Sequence, residues 1–153
     1  SKLRYMIVGR DCRWVIIDHL GMMTSGMGEG NERLVIDGIM TRLRSIVEET
    51  GAGVILVSHL RRVEGNRGHE QGIEVSLAHV RGSNGIGHVS DCLIALERNQ
   101  QSEDPIEAAT TRVRILKSRY TGDVGIATKL LYDKDTGRLS EISSDNGDDE
   151  ILI

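Results

Sequence analysis

Two apolar runs constrain this chain more than anything else in it. Val15–Ile17, inside WVIIDHL, and residues 53–58, GVILVS, each run straight into a polar side chain, Asp18 and His59. Short continuous apolar runs of this kind are the pattern of strands buried on both faces. Between them lies a helical pattern from about residue 31 to 50, with Leu34, Val35, Ile39, Leu43, Ile46 and Val47 recurring at helical spacing. Asn31 is a candidate N-cap, Glu32 sits in the first turn, and Gly51 stops the helix. Strand, helix and strand in that order form a βαβ unit, and so a parallel pair. In open α/β sheets the carboxyl ends of the strands line the ligand site. Asp18 and His59 are therefore the first residues to question.

The rest of the chain reads as shorter pieces. GMMTSGMGEG, residues 21–30, is a Gly- and Met-rich loop. Residues 60–74 have no apolar period and read as a mobile surface loop, and residues 81–91, RGSNGIGHVSD, as a second loop. Residues 92–96 form a third strand. Residues 112–117 form a fourth, whose alternation of Arg with Val and Ile suggests one wet face. Residues 100–109, with the sole proline Pro105, read as a surface connection. Residues 126–132 and 138–142 flank DKDTG, a hairpin turn with Gly137. The acidic tail, residues 143–153, is expected to fray.

Composition narrows the classes. The 153 residues suffice for one domain with a real core. Phe is absent, and Tyr5, Trp14, Tyr120 and Tyr132 are the only aromatics, so the core is aliphatic. Nucleic-acid folds built on aromatic stacking platforms are thereby disfavoured. With a net charge of −4, nucleic-acid binding requires a local basic patch. No run approaches a membrane span and no signal peptide opens the sequence, so a cytoplasmic setting is expected, that of the host cell if the source is viral. Cys12 and Cys92 form no CxxC pair, which fits a reducing compartment. The opening SKLRYMIVGR reads as a piece of a longer protein.

An apolar strand ending in Asp is the pattern of a Walker B motif, whose acid holds Mg²⁺ beside nucleotide phosphates. The same acid serves in many parallel strands as a cap for the following turn. His59, at the next strand tip, could donate to a γ-phosphate, or satisfy local backbone groups. Arg61, Arg62 and Arg67 could follow a phosphate backbone, or be solvated with Glu64 and Glu70 offsetting their charge. Lys117 and Arg119 end RILKSRYTGDVG, where a fixed guanidinium could stabilise a transferring phosphoryl group, or where the strand has a solvated basic face. There is no GxSxG elbow, no histidine spacing suited to zinc, and no GxGxxG opening a helix. A P-loop, GxxxxGK[ST], is absent too: the sequence contains no Gly-Lys dipeptide.

Four segments together, WVIIDHLGMMTSGMGEGNERLVID, VILVSHLRR, VRGSNGIGHVSDCLIALERNQQ and VRILKSRYTGDVGIA, resemble the ATPase core of hexameric ring helicases of the DnaB type. The likeness is closest to the fused primase-helicases of short-tailed bacteriophages and related Twinkle-type helicases, and runs from about Tyr5 to Leu139. It implies an α/β fold: a RecA-like P-loop NTPase core, mostly parallel, with flanking helices and a C-terminal β-hairpin, here lacking the P-loop strand. That strand would lie between the His59 strand and the next. The expectation is that the chain closes the gap by direct pairing, or pairs with another copy. Residues 1–142 would be a partial ATPase domain.

The resemblance also implies roles. Asp18 corresponds to the Walker B aspartate and metal ligand, and His59 to the phosphate sensor. Arg61, Arg62 and the loop through Arg67 match one DNA-facing channel loop, and Arg81, Gly82, Ser83 and Asn84 the start of a second. His88 stands where phage relatives usually carry Gln, a γ-phosphate sensor. Arg98 lies near the nucleotide, Arg119 matches the arginine finger acting on the neighbouring subunit's site, and Tyr132 packs on the base. The implied cofactors are ATP or dTTP with Mg²⁺. The implied partners are single-stranded DNA, a hexameric ring of the intact protein, a replication polymerase and a fused primase domain, with no membrane. The implied activity is NTP-driven 5′→3′ translocation and duplex unwinding by the intact protein, this segment alone being inactive. Two alternatives stay open: a non-catalytic RecA-like binding or assembly module, and a RecA- or recombinase-like ATPase.

Overall fold

The computed structural model describes residues 2–26, 29–63, 68–81 and 84–142, with the side chains of residues 29–31 and 84 left aside. The expected site residues Arg67, Gly82 and Ser83, the side chain of Asn84 and the tail 143–153 lie outside what is described. The chain divides into two compact units, residues 1–62 with 76–91, and residues 63–75 with 92–153.

In the first unit a short helix α1 (Lys2–Arg4) runs into a π-helical turn, Tyr5–Gly9. Strand β1 (Trp14–Ile17), a one-turn helix α2 (Leu20–Met23), the long helix α3 (Glu29–Thr50) and strand β2 (Gly53–Leu56) follow. β1 and β2 pair in parallel from Trp14↔Gly53 to Ile17↔Leu56, which is the expected βαβ unit. Gly51 ends α3 at φ +69°, donating its N–H to the Val47 carbonyl at 2.8 Å. The helix begins at Glu29, not at an Asn31 cap. Its buried stripe is Ile36, Met40, Leu43 and Ile46, whereas Leu34 is 72% exposed. Ile36, Met40 and Leu43 recur four and three residues apart, and Leu34 falls off that face.

Val15, Ile46, Ala52 and Ile7 form a core cluster, joined by Leu3 and Ile17. The strands are not buried on both faces as the apolar runs suggested. Trp14 and Ile16 point away from that core and are 69% and 68% exposed, and Ile55 and Val57 are exposed as well. The unit has one long helix, and one helix covers one face; a parallel pair needs both faces covered to hide them. The loop 81–91 is also more ordered than its Gly content implied: it contains α4 (Asn84–Val89), which packs on α3 and buries Ile86.

The second unit is a four-stranded sheet: β3 (Cys92–Arg98), β4 (Thr110–Ser118), β5 (Gly125–Tyr132) and β6 (Leu139–Glu141) in that order. Every pairing in it is antiparallel. The expected mostly parallel sheet is thus not what the described strands form. Parallel pairing is confined to β1–β2. The reason is connection length: a parallel crossover needs a dozen or more residues, and the links after β3, β4 and β5 are shorter. Nor is the gap beyond β2 closed by direct pairing, since the described strands form two separate sheets. The segment 100–109, expected to be plain connection, holds α5 (Pro105–Ala109), capped by Asp104, whose Oδ1 accepts from Ile106 N at 2.9 Å.

The hairpin at DKDTG forms as expected, with Gly137 at φ +68°. Asp133 fastens it by accepting from the backbone N–H groups of Asp135 and Thr136 at 2.8 and 3.2 Å. Hydrogen bonds from the Thr136 side chain and from these N–H groups hold the Asp133 carboxyl below its ordinary value of 3.8. A depressed carboxylate stabilises the fold at pH above its ordinary value and ceases to as pH falls through the folded one. Acidification below about pH 4 is therefore expected to loosen the β5–β6 hairpin. Amide exchange at Leu130–Tyr132 should accelerate there in the native chain and be pH-independent, beyond intrinsic chemistry, in Asp133→Ala.

Candidate functional site

The parallel ladder between β1 and β2 continues past the strands. Val57 N donates to the Ile17 carbonyl at 2.9 Å, and Leu20 N donates to the Val57 carbonyl at 2.9 Å. Asp18 and His59 therefore leave the sheet at adjacent strand tips on the same carboxyl edge. Both are exposed. The Asp18–His19 peptide bond is cis. Between the tips the His19 and His59 rings stack, with centroids 4.0 Å apart and planes 27° from parallel.

A cavity of about 230 Å³ opens beside the His59 tip, lined in part by His19, Ser58, His59, Thr24, Glu32 and Arg81; Asp18 does not line it. Its wall is tied together by polar contacts. Thr24, 3% exposed, donates from Oγ1 to Glu32 Oε1 at 3.1 Å, and Arg81 Nη2 stands 3.6 Å from the same oxygen. Arg81 N donates to the His59 carbonyl at 3.0 Å, Arg61 N donates to the His79 carbonyl at 2.9 Å, and Leu60 bridges Val80. The segments that begin at Arg61 and Arg81 thus leave from one small antiparallel ladder just beyond His59. Arg61, Arg62 and Arg81 are exposed there, as is His88 near the end of α4.

In the second unit two other expected site residues meet. Arg98, ending β3, lies with its guanidinium carbon 5.7 Å from the centre of the Tyr132 ring on β5, and its Nε donates to the Ala108 carbonyl at 2.6 Å. Arg119 follows the end of β4 and is exposed.

One further cluster was not anticipated from the sequence. Glu97 is 4% exposed, and its Oε1 accepts from Arg114 Nε at 2.6 Å and from Val75 N at 2.8 Å. Arg114 Nη1 also meets Glu74 at 3.0 Å. Together with the Gln71–Asn99 bridge, these contacts pin residues 68–75 onto β3 and β4, so that part of the expected surface loop is anchored. The expected wet face of β4 is corrected with it: every residue of β4 is half-buried, and the Arg114 side chain is 14% exposed because it answers a buried acid. An alternating strand with Glu at an inward position, opposite an Arg-bearing neighbour, was the available signal.

Among the described residues no group of three or more His, Cys, Asp or Glu side chains could hold a metal ion. A single exposed carboxylate such as Asp18 fits the habit of Mg²⁺, which keeps most of its waters and takes one or two carboxylates plus substrate phosphates. Among them, too, no helix is long and apolar enough to cross a membrane.

Residues 1–141 match the DnaB-like helicase C-terminal domain. The chain belongs to that family of replicative helicases. It is also 39% identical over 150 residues, 98% of its length, to a DNA helicase/primase of Enterobacteria phage T3. It spans 26% of that relative. The family implies a RecA-like fold, and in this member of the DnaB-like family the strand tips that carry Asp18 and His59 lie side by side.

Proposed function

We propose that this chain is the C-terminal part of the helicase domain of a phage-type replicative primase-helicase. The complete protein would couple hydrolysis of ATP or dTTP to 5′→3′ movement on single-stranded DNA and to unwinding of the duplex ahead. Asp18 would hold Mg²⁺, which neutralises phosphate charge. His59 and His88 would face the γ-phosphate. Arg98 and Tyr132 would flank the nucleotide, and Arg119 would reach the site of a neighbouring subunit in a hexameric ring. Arg61, Arg62, Arg67, Arg81, Gly82, Ser83 and Asn84 would follow the DNA backbone. A primase domain would lie in the same chain, as the phage relative's name suggests, and a replication polymerase is a further partner.

The observation that supports this reading is the parallel pair β1–β2, whose carboxyl ends lead into Asp18 and His59 on one edge of the sheet. Backbone continuity from His59 to Arg81 gives a short path from phosphate to DNA-facing loop. The sequence holds no Gly-Lys phosphate cradle, so the segment is expected to be inactive alone.

The test compares this chain with the complete protein that carries it. The complete protein is expected to show Mg²⁺-dependent NTP turnover stimulated by single-stranded DNA, and to unwind forked duplex from a 5′ tail. The isolated chain is expected to hydrolyse nothing above background. Robust turnover by the pure segment would overturn the missing-cradle argument. A complete protein that binds single-stranded DNA without turnover would favour a non-catalytic binding module instead.

A further inference from the structure

We propose that His19 is a positioning residue. Its ring is the platform on which the His59 imidazole rests, and it fixes the direction in which His59 faces the nucleotide. The proposal rests on the reading of His59 as the residue that meets the γ-phosphate.

The two rings form a stack with a fixed inner member and an exposed outer one. His19 is half-buried, and its Nδ1 is buried with no hydrogen-bond partner among the described residues. Backbone bonds hold it on both sides: Leu20 N to the Val57 carbonyl at 2.9 Å, and Met22 N to the His19 carbonyl at 3.1 Å. Leu20, the next residue, is 2% exposed and anchors the segment in the core. On one flank the ring is boxed by Gly21, where an added Cβ would lie 3.1 Å from Nδ1 and 3.2 Å from Cε1. Against its face lies His59, 4.0 Å away centre to centre.

An exposed imidazole at a strand tip otherwise spreads over several rotamers, and that freedom must be lost when it meets a phosphate. A flat ring underneath removes those rotamers beforehand. A buried, unpartnered imidazole nitrogen is costly, and such groups tend to persist where function needs them. Here the ring face supplies the need. A smaller apolar residue at position 19 would avoid the buried nitrogen but give His59 nothing to lie on.

The test uses the complete protein and steady-state NTP hydrolysis. His19→Ala is expected to lower kcat by roughly three- to tenfold, the worth of one aromatic contact, with the nucleotide KM within about twofold. His19→Phe, which keeps a ring, should recover most of the loss. His19→Ala placed in a His59→Ala background should add nothing. A wild-type kcat in His19→Ala, with His59→Ala impaired, overturns the proposal. So does an equal loss in His19→Phe and His19→Ala, because ring area would not then be the operative property. If His19→Ala does not fold, His19→Leu, similar in bulk but without a ring, takes its place against His19→Phe. Wild-type turnover in His59→Ala overturns instead the underlying reading of His59.

Discussion

Replacing Arg119 with alanine in the complete protein is expected to cut nucleotide turnover by about 10³–10⁵-fold, the range over which an arginine finger acts. Nucleotide affinity should change by no more than about threefold, because a finger meets charge that develops only in the transition state. Arg119 is exposed just past the end of β4, and its proposed role is to act on a neighbouring subunit's nucleotide. That leads to a mixing experiment. Arg119→Ala subunits keep Asp18, and Asp18→Asn subunits keep Arg119, so each variant supplies what the other lacks. Rings assembled from both should regain turnover that neither has alone. If Arg119→Ala instead loses nucleotide binding while turning over normally per bound nucleotide, the finger assignment is wrong. If the mixed rings stay dead, the arginine does not act across subunits.

The second large effect concerns Glu97 and Arg114. Arg114→Ala is expected to destabilise the β3–β6 unit by about 3–5 kcal/mol, because it strands a buried carboxylate. Glu97 Oε1 would keep only the Val75 N–H, and Oε2 already lacks a partner among the described residues. Urea unfolding of the chain followed by far-ultraviolet circular dichroism measures this. The double variant Glu97→Leu/Arg114→Met should recover most of the loss, since removing both charges leaves nothing buried and unpaired. A loss below about 1 kcal/mol in Arg114→Ala would mean that the pair behaves as a solvated surface ion pair. Limited proteolysis of residues 68–75 should quicken in Arg114→Ala, because the same cluster pins that segment to the sheet.

The sequence by itself determined the βαβ unit, the two strand tips and the hairpin at Gly137. These rest on local causes: apolar runs of strand length, a helical stripe, and glycines where φ must be positive. It also carried the family, because the resemblance of the four segments needs no knowledge of packing. Tertiary structure alone decided three other things. The sheet of the second unit is antiparallel because its links are short, and their lengths follow from strand ends that pairing fixed: β3 runs to Arg98 and β4 starts at Thr110, each two residues beyond the apolar runs. The outer face of β1–β2 is exposed because burial depends on what lies opposite, and an apolar run reads the same whether covered or bare. His19 stands against His59, and Glu97 against Arg114, only because the chain folds back on itself. Such pairs join residues 17 to 40 positions apart, beyond the reach of any local pattern.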